Sequence, residues 1–309
     1  MRRIVMVLAM AVAVFASATI DQGARASSDP GRSNGHGQLV QDPSGQLVKV
    51  ARGTHTPGQP KAKKDPPPAA ALTAGAGTGC TFFAATQYYC RAGAYQYVTV
   101  PADGAYMSTP VQSPVVASAD HHSLAELAVE SKDGQQIIEI GWRVYPKQDQ
   151  TPRLFIYHWI HGKGVCYNTD CANHGFVQST STTIRPNMAL TSSSTPVQFA
   201  IEYFQGNWWY GYNGTWFGYL PGSLWGGTFT KTDLVQVFGE VSSTTTTPCT
   251  NMGNGAMGTS TSATAVTGVG YYNTTTAASV TRFTPDDSTL YDSQVTSANS
   301  FRYGGPGAC

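Results

Sequence analysis

The stretch IIEIGWRVYP, residues 137–146, decides the fold through its alternation. Ile138, Ile140, Trp142 and Val144 fall on one face of a β-strand, and Ile137, Glu139, Gly141, Arg143 and Tyr145 fall on the other. A carboxylate at mid-strand among apolar neighbours is costly to bury unless something pairs or uses it. A second stretch, LVQVFGEV at residues 234–241, alternates in the same way and puts Gln236, Phe238 and Glu240 on one face. These two strands are expected to bring Glu139 and Glu240 to one cleft.

Around them, short strands broken by Gly, Pro, Asn and Asp are predicted at 95–100, 111–117, 124–129, 136–145, 153–160, 197–204, 215–219 and 234–241. Further strand is predicted around 263–272. No long run of 3.6-residue periodicity competes, so residues 80–309 read as one large all-β domain, an antiparallel β-sandwich or a barrel.

The start of the chain reads differently. Arg2 and Arg3 precede an apolar run at 4–18, and Ala24-Arg25-Ala26 supplies an A-x-A site, so residues 1–26 read as a secretory signal peptide. The run is too short for a membrane anchor, which needs about 20 apolar residues. Residues 27–79 are rich in Pro, Gly, Lys and Ala and read as a largely disordered pro-segment or linker. Only residues 45–50 look strand-like there, and one short strand cannot make a domain.

Charged residues make up 12% of the 309-residue chain, and the formal net charge is +1. The one basic run, Lys61, Lys63 and Lys64, lies in the linker, so neither nucleic acid nor an acidic membrane surface is an expected partner. Six cysteines in an exported chain read as three disulfides among 15 possible pairings. Proximity favours Cys80 with Cys90 and Cys166 with Cys171, which leaves Cys249 for Cys309.

For chemistry, no G-x-S-x-G elbow is present, and oxidised cysteines offer no thiolate. His158 and His161 form an H-x-x-H, a spacing that puts the two rings on opposite faces of a strand, so no metal site is expected. Asp103, Asp133, Asp286 and Asp287 lie in turns and read as solvated. Glu139, Glu202 and Glu240 instead interrupt apolar strands. Two such carboxylates in one cleft divide acid and base work, because like charges push their pKa values apart. Rings supply the rest of a site: Trp208, Trp209, Trp216 and Tyr219, together with Tyr157, are the candidate substrate contacts, with Trp225 nearby.

In order along the chain, IIEIGWRVYP, Thr151-Pro152-Arg153-Leu154-Phe155, Val165-Cys166-Tyr167-Asn168, Gly206-Asn207-Trp208-Trp209, Gly218-Tyr219-Leu220-Pro221, Phe238-Gly239-Glu240-Val241, Met252-Gly253-Asn254-Gly255 and Tyr303-Gly304-Gly305-Pro306-Gly307 resemble the neprosin family. The resemblance implies a secreted β-sandwich glutamic endopeptidase that cuts after proline, works in acid and needs no cofactor. Its two catalytic glutamates, in E-x-G-W and G-G-E-V motifs, fall on Glu139 and Glu240. The chain departs from the pattern at Phe238, where the family has glycine, and at Ala128, where it has tryptophan. Leu290 replaces a cysteine found in plant members, a Cys80 to Cys90 loop is added, and the plant activation domain is much reduced.

The expected activity is hydrolysis of a proline-containing peptide by a monomer. Self-cleavage is expected near Pro66-Pro67-Pro68-Ala69-Ala70. Two readings from other classes use the same residues: a carbohydrate-binding module with a tryptophan platform, and a glycosidase with two carboxylates.

Overall fold

The computed structural model describes residues 37–53, 79–84 and 87–309. The expected signal peptide and the proline run at 66–68 lie outside them. In chain order the strands are β1 (Gln38–Gln41), β2 (Leu47–Arg52), β3 (Thr81–Ala84), β4 (Gln87–Ala102), β5 (Gly104–Pro110) and β6 (His122–Glu130). Then come β7 (Ile137–Tyr145), β8 (Asp149–Ile160), β9 (Lys163–Tyr167), β10 (Val177–Ser179), β11 (Pro196–Phe204) and β12 (Asn207–Tyr212). The last six are β13 (Thr215–Pro221), β14 (Thr232–Ser243), β15 (Thr264–Tyr272), β16 (Thr281–Arg282), β17 (Asp292–Ser297) and β18 (Ser300–Gly304).

They form two antiparallel sheets, so the fold is the expected all-β sandwich. One sheet has eight strands in the order β16-β4-β14-β6-β7-β8-β9, with β3 paired to β4. The other has ten, β1-β2-β10-β13-β12-β11-β5-β15-β18-β17. The core fills the space between them. Ile138, Ile140, Trp142 and Val144 of β7, with Leu127 and Val129 of β6, meet Met107, Phe199, Ile201, Trp208, Tyr210 and Phe217 from the other sheet. The alternation in β7 thus aims its apolar residues at the other sheet and turns Glu139 away from it.

One glycine shows how separated motifs lock together. A Cβ on Gly239 would lie 2.5 Å from the Tyr303 ring and 2.8 Å from Met252 Cγ, so only glycine lets these side chains lie against β14. The Phe238-Gly239-Glu240 motif is thereby packed against the Met252-Gly253 and Tyr303-Gly304 motifs.

Two expectations change. Residues 111–117 form no ladder: Pro110 and Pro114 remove backbone donors, and the segment instead accepts single bonds, Ser193 N to Val111 O at 3.0 Å and Asn251 N to Val115 O at 2.9 Å. Within the predicted pro-segment, β1 and β2 form a hairpin that joins the ten-stranded sheet through β10. Val48 and Val50 explain this, because they bury against Val177, Trp209 and Tyr219. Disulfides join Cys80 to Cys90, Cys166 to Cys171 and Cys249 to Cys309. Among the described residues no helix is long and apolar enough to cross a membrane.

Candidate active site

Glu139 and Glu240 both point to the outer face of the eight-stranded sheet, one from β7 and one from β14, with β6 between the two strands. Strand pairing sets their offset. Glu139 stands opposite Ala128, itself opposite Gln236, whereas Glu240 stands opposite Leu124, itself opposite Arg143. The two positions are therefore two strands and four residues apart, about 10 Å across the sheet and about 13 Å along it. Both are buried, with 0% and 2% of their surface exposed.

Burying a carboxylate is tolerable where hydrogen bonds replace water. Trp159 Nε1 donates to Glu139 Oε1 at 2.9 Å from the neighbouring strand β8. His122 Nε2, at the start of β6, lies 3.0 Å from Glu240 Oε1. Arg91 of β4 stands opposite Glu240 and is itself held by Asp286, whose Oδ2 accepts from the Arg91 backbone N–H at 2.8 Å and from Nε at 3.2 Å. Asp286 and Asp287 are thus buried, at 7% and 4% exposure, and not solvated turn residues. Asp286 is buried because it binds Arg91, and Asp287 because it closes a turn with Thr289 N–H at 2.8 Å.

Sequence reasoning passed over two carboxylates on the same face, Glu126 and Glu130 of β6, both fully buried. Gln236 Nε2 donates to Glu130 Oε1. Burial pushes the Glu130 carboxyl up to about 8; the Gln236 bond opposes this and the Glu139 charge adds to it. Glu130 therefore keeps its proton at neutral pH.

Rings wall one side of the face. Phe155, Tyr157 and Trp159 of β8 and Tyr167 of β9 cluster with Leu124, Ala128 and Ile137. Phe155 and Tyr167 stack at 5.9 Å, and Tyr157 stands directly opposite Glu139. The Arg143 guanidinium lies 4.0 Å from the Tyr167 ring centre and 5.0 Å from that of Tyr145. Burial raises nearby Asp170 to about 7, against the pull of Arg143. At this end of the face, Arg153, paired with Arg143, also lines a cavity of about 710 Å³ with Thr169, Asn187 and Met188.

Of the five rings proposed as substrate contacts, the structure brings Tyr157 alone to the glutamates. Trp208 lies in the core between the sheets, its Nε1 donating to Phe229 O at 2.9 Å. Trp209 and Tyr219 pack together at 4.7 Å on the outside of the other sheet, with Val48, Val50 and half-buried Trp216. Glu202 stands in that row, opposite Trp209, and burial with the Asp103 charge raises it to about 7. The tryptophans therefore form no open platform. His158 faces inward, where burial and the His174 charge push it down to about 3, and His161 sits in a turn with φ of 52°. Among the described residues no group of three or more His, Cys, Asp or Glu side chains is placed to hold a metal ion.

Among solved structures, the chain is similar to scytalido-glutamic peptidase with a transition state analog inhibitor, at 9% identity and a TM-score of 0.41, covering 72% of this chain and 100% of that one. It is also similar to CG-16, a homodimeric agglutinin from chicken liver, at 11% identity and a TM-score of 0.30, covering 48% of this chain and 92% of that one. Congerin II with lactose gives 14% identity and a TM-score of 0.30, covering 48% and 93%. No curated protein matches the chain. The Neprosin family model matches residues 119–306, a span that runs from before β6 to the end of the Tyr303-Gly304-Gly305-Pro306 motif and contains both glutamates. The chain belongs to the Neprosin family, the family of glutamic peptidases that its sequence resembles.

Proposed function

We propose that the chain is an exported, monomeric glutamic endopeptidase that cuts after proline in acid, with Glu139 and Glu240 as its acid and base. One observation carries the reading: both glutamates interrupt apolar strands, and both reach the same face of one sheet, each held by its own neutral or basic partner. Rigid strands are a sound platform for such groups, since small misplacements of acid and base are costly in rate.

The chemistry follows from having one ionised and one protonated carboxylate. The ionised one takes a proton from water as the water oxygen bonds to the scissile carbonyl carbon, and the protonated one gives its proton to the carbonyl oxygen. The tetrahedral adduct then loses the amine, which leaves with the proton taken from water, and one hydroxyl returns its proton to the second carboxylate as the carbonyl re-forms. The apolar wall of Phe155, Tyr157 and Tyr167 suits a proline ring beside the first glutamate. Work divided in this way favours acidic pH, because two ordinary carboxylates are both ionised near neutrality.

The test is direct. Purified protein is incubated with a proline-containing peptide and with polysaccharides at acid and neutral pH, with and without a chelator. Cleavage on the carboxyl side of proline, in acid and unaffected by the chelator, is expected. Retention or cleavage of a polysaccharide in place of the peptide would overturn the reading.

A further inference from the structure

Glu139 and Glu240 have a third carboxylate between them. On β6, Glu126 stands opposite Gly141 on one side and Phe238 on the other. Glu139 lies two residues from Gly141 toward one end of the sheet, and Glu240 lies two residues from Phe238 toward the other. Glu126 is thus the diagonal neighbour of both, about 7–8 Å from each between Cα atoms.

The hydrogen bonds sharpen the point. Trp159, opposite Ile137, holds Glu139 on the side away from Glu126, and His122, two residues beyond Leu124, holds Glu240 on the side away from it as well. Two carboxylates bound to one water have oxygens at most about 6 Å apart, twice a hydrogen-bond length. Neighbours in the row meet that limit far more readily than its two ends do.

Resting on the peptidase reading, we propose that Glu126 is a third catalytic carboxylate, touching the scissile carbonyl between Glu139 and Glu240 and relaying to this oxygen the proton that the acid of the pair supplies. A flanking glutamate, ionised, removes a proton from water as the C–O bond forms, and Glu126 protonates the carbonyl oxygen while taking a proton from the acid. When the C–N bond breaks, the nitrogen takes the proton from the flanking glutamate. The new hydroxyl returns a proton to Glu126, which passes one back to the acid of the pair, as the carbonyl re-forms, so the cycle closes on peptide plus water giving carboxylic acid plus amine. The charged and titratable groups facing Glu126 are Glu139 and buried Arg143 from β7, Glu240 from β14 and Arg91 from β4, with Glu130 and His122 on its own strand.

The experiment compares wild type, Glu126→Gln, Glu126→Asp, Glu139→Gln and the control Glu202→Gln on a fluorogenic proline-containing peptide, from roughly pH 3 to 7, with circular dichroism to verify folding. Glu126→Gln, folded, should lose at least ~10² in kcat, with KM little changed, and its residual activity should follow a displaced pH profile. Combining it with Glu139→Gln should cost no more than the worse single change, as for residues that act as a unit. Should the amide variant not fold, Glu126→Asp serves: a carboxylate one methylene short should lose about tenfold or more in kcat. A folded Glu126→Gln, or in its place Glu126→Asp, with kcat within about threefold of wild type and an unchanged profile would overturn the proposal while leaving the peptidase reading standing. Wild type that cuts no peptide would sink both.

Discussion

Glu130 makes the stability of the fold depend on pH, and replacing it with glutamine tests the sign. Its carboxyl holds its proton up to about pH 8 in the folded chain, against 4.5 in the unfolded one. Between these values the folded state carries one proton more, so stability falls as pH rises through the window. At pH 8 the loss is roughly 4 kcal/mol, taking 1.36 kcal/mol per pH unit. That is a large share of the 5–15 kcal/mol typical of a domain. Glutamine keeps the shape and still accepts from Gln236 Nε2, but has no proton to lose. The variant should match wild type near pH 4 and exceed it in stability by roughly 4 kcal/mol at pH 8. Urea unfolding followed by tryptophan fluorescence, with disulfides intact, measures this difference. His158 works in the opposite direction: unfolded it takes a proton below 6.5, folded only below about 3, so it costs stability as pH falls through that range. It is common to both proteins and cancels in the comparison. A stability gap constant within about 1 kcal/mol from pH 4 to 8 would refute the assignment of a buried, protonated Glu130.

Further outcomes follow from the same face. Glu139→Gln and Glu240→Gln should each lose at least ~10² in turnover with the fold intact, and near-normal turnover in either folded variant would sink the pair. Gly141→Ala should lower the melting temperature by at least about 2 °C, because its Cβ would lie 1.9 Å from Ala125 O and overpacking costs about 1–3 kcal/mol or more; an unchanged melting curve refutes the clash. If the linker is its own substrate, wild type held in acid should acquire an N-terminus at Ala69 or a neighbour, since tethering raises local concentration to the millimolar range. The same N-terminus in Glu240→Gln would rule self-processing out.

Alternation read the central strands well, because their two faces differ: β7, and β14 between Leu234 and Val241, show one apolar face and one mixed face. It failed where a strand lacks that contrast. β5, GAYMSTP, lies in the middle of the ten-stranded sheet between β11 and β15, yet glycine, serine and proline disguise it as a turn. The stretch 111–117 erred the other way, since valines suggested a strand and prolines denied it a ladder. Glu126 was within reach of the argument that found Glu139. It interrupts HSLAELAVE at the same parity as Leu124 and Ala128, but a strand with two glutamates reads as wet on one side, and only the register shows that this side is buried. The tryptophans misled for a reason of sequence locality: Trp208 and Trp209 are adjacent, so on a strand they must point to opposite faces, one into the core and one outside the other sheet.

Two of the departures from the family pattern belong together once the register is known. By the resemblance, Ala128 stands where the family pattern has tryptophan and Phe238 where it has glycine. Ala128 stands opposite Gln236 and Phe238 opposite Glu126, so the two positions are diagonal neighbours on adjacent strands of the face that carries both glutamates. Relative to that pattern, β6 carries no ring beside Glu139 and β14 carries one beside Glu126. Buried aromatic volume is largely conserved, which is the kind of paired change that a close-packed face tolerates. The position of the ring is not conserved. Phe238 now packs edge-on to Phe283 at 6.0 Å, on the side of the row away from Tyr157, and the ground next to Glu139 is opened by the small Ala128 side chain. A residue bulkier or more polar than proline should therefore be accepted beside Glu139 more readily than in relatives that keep the tryptophan. The double substitution Ala128→Trp with Phe238→Gly should narrow the cleavage map of a denatured protein digest toward proline, whereas Ala128→Trp alone crowds the face and should cost about 1–3 kcal/mol in stability. Identical cleavage maps from the wild type and the double variant would show that these rings take no part in choosing the substrate.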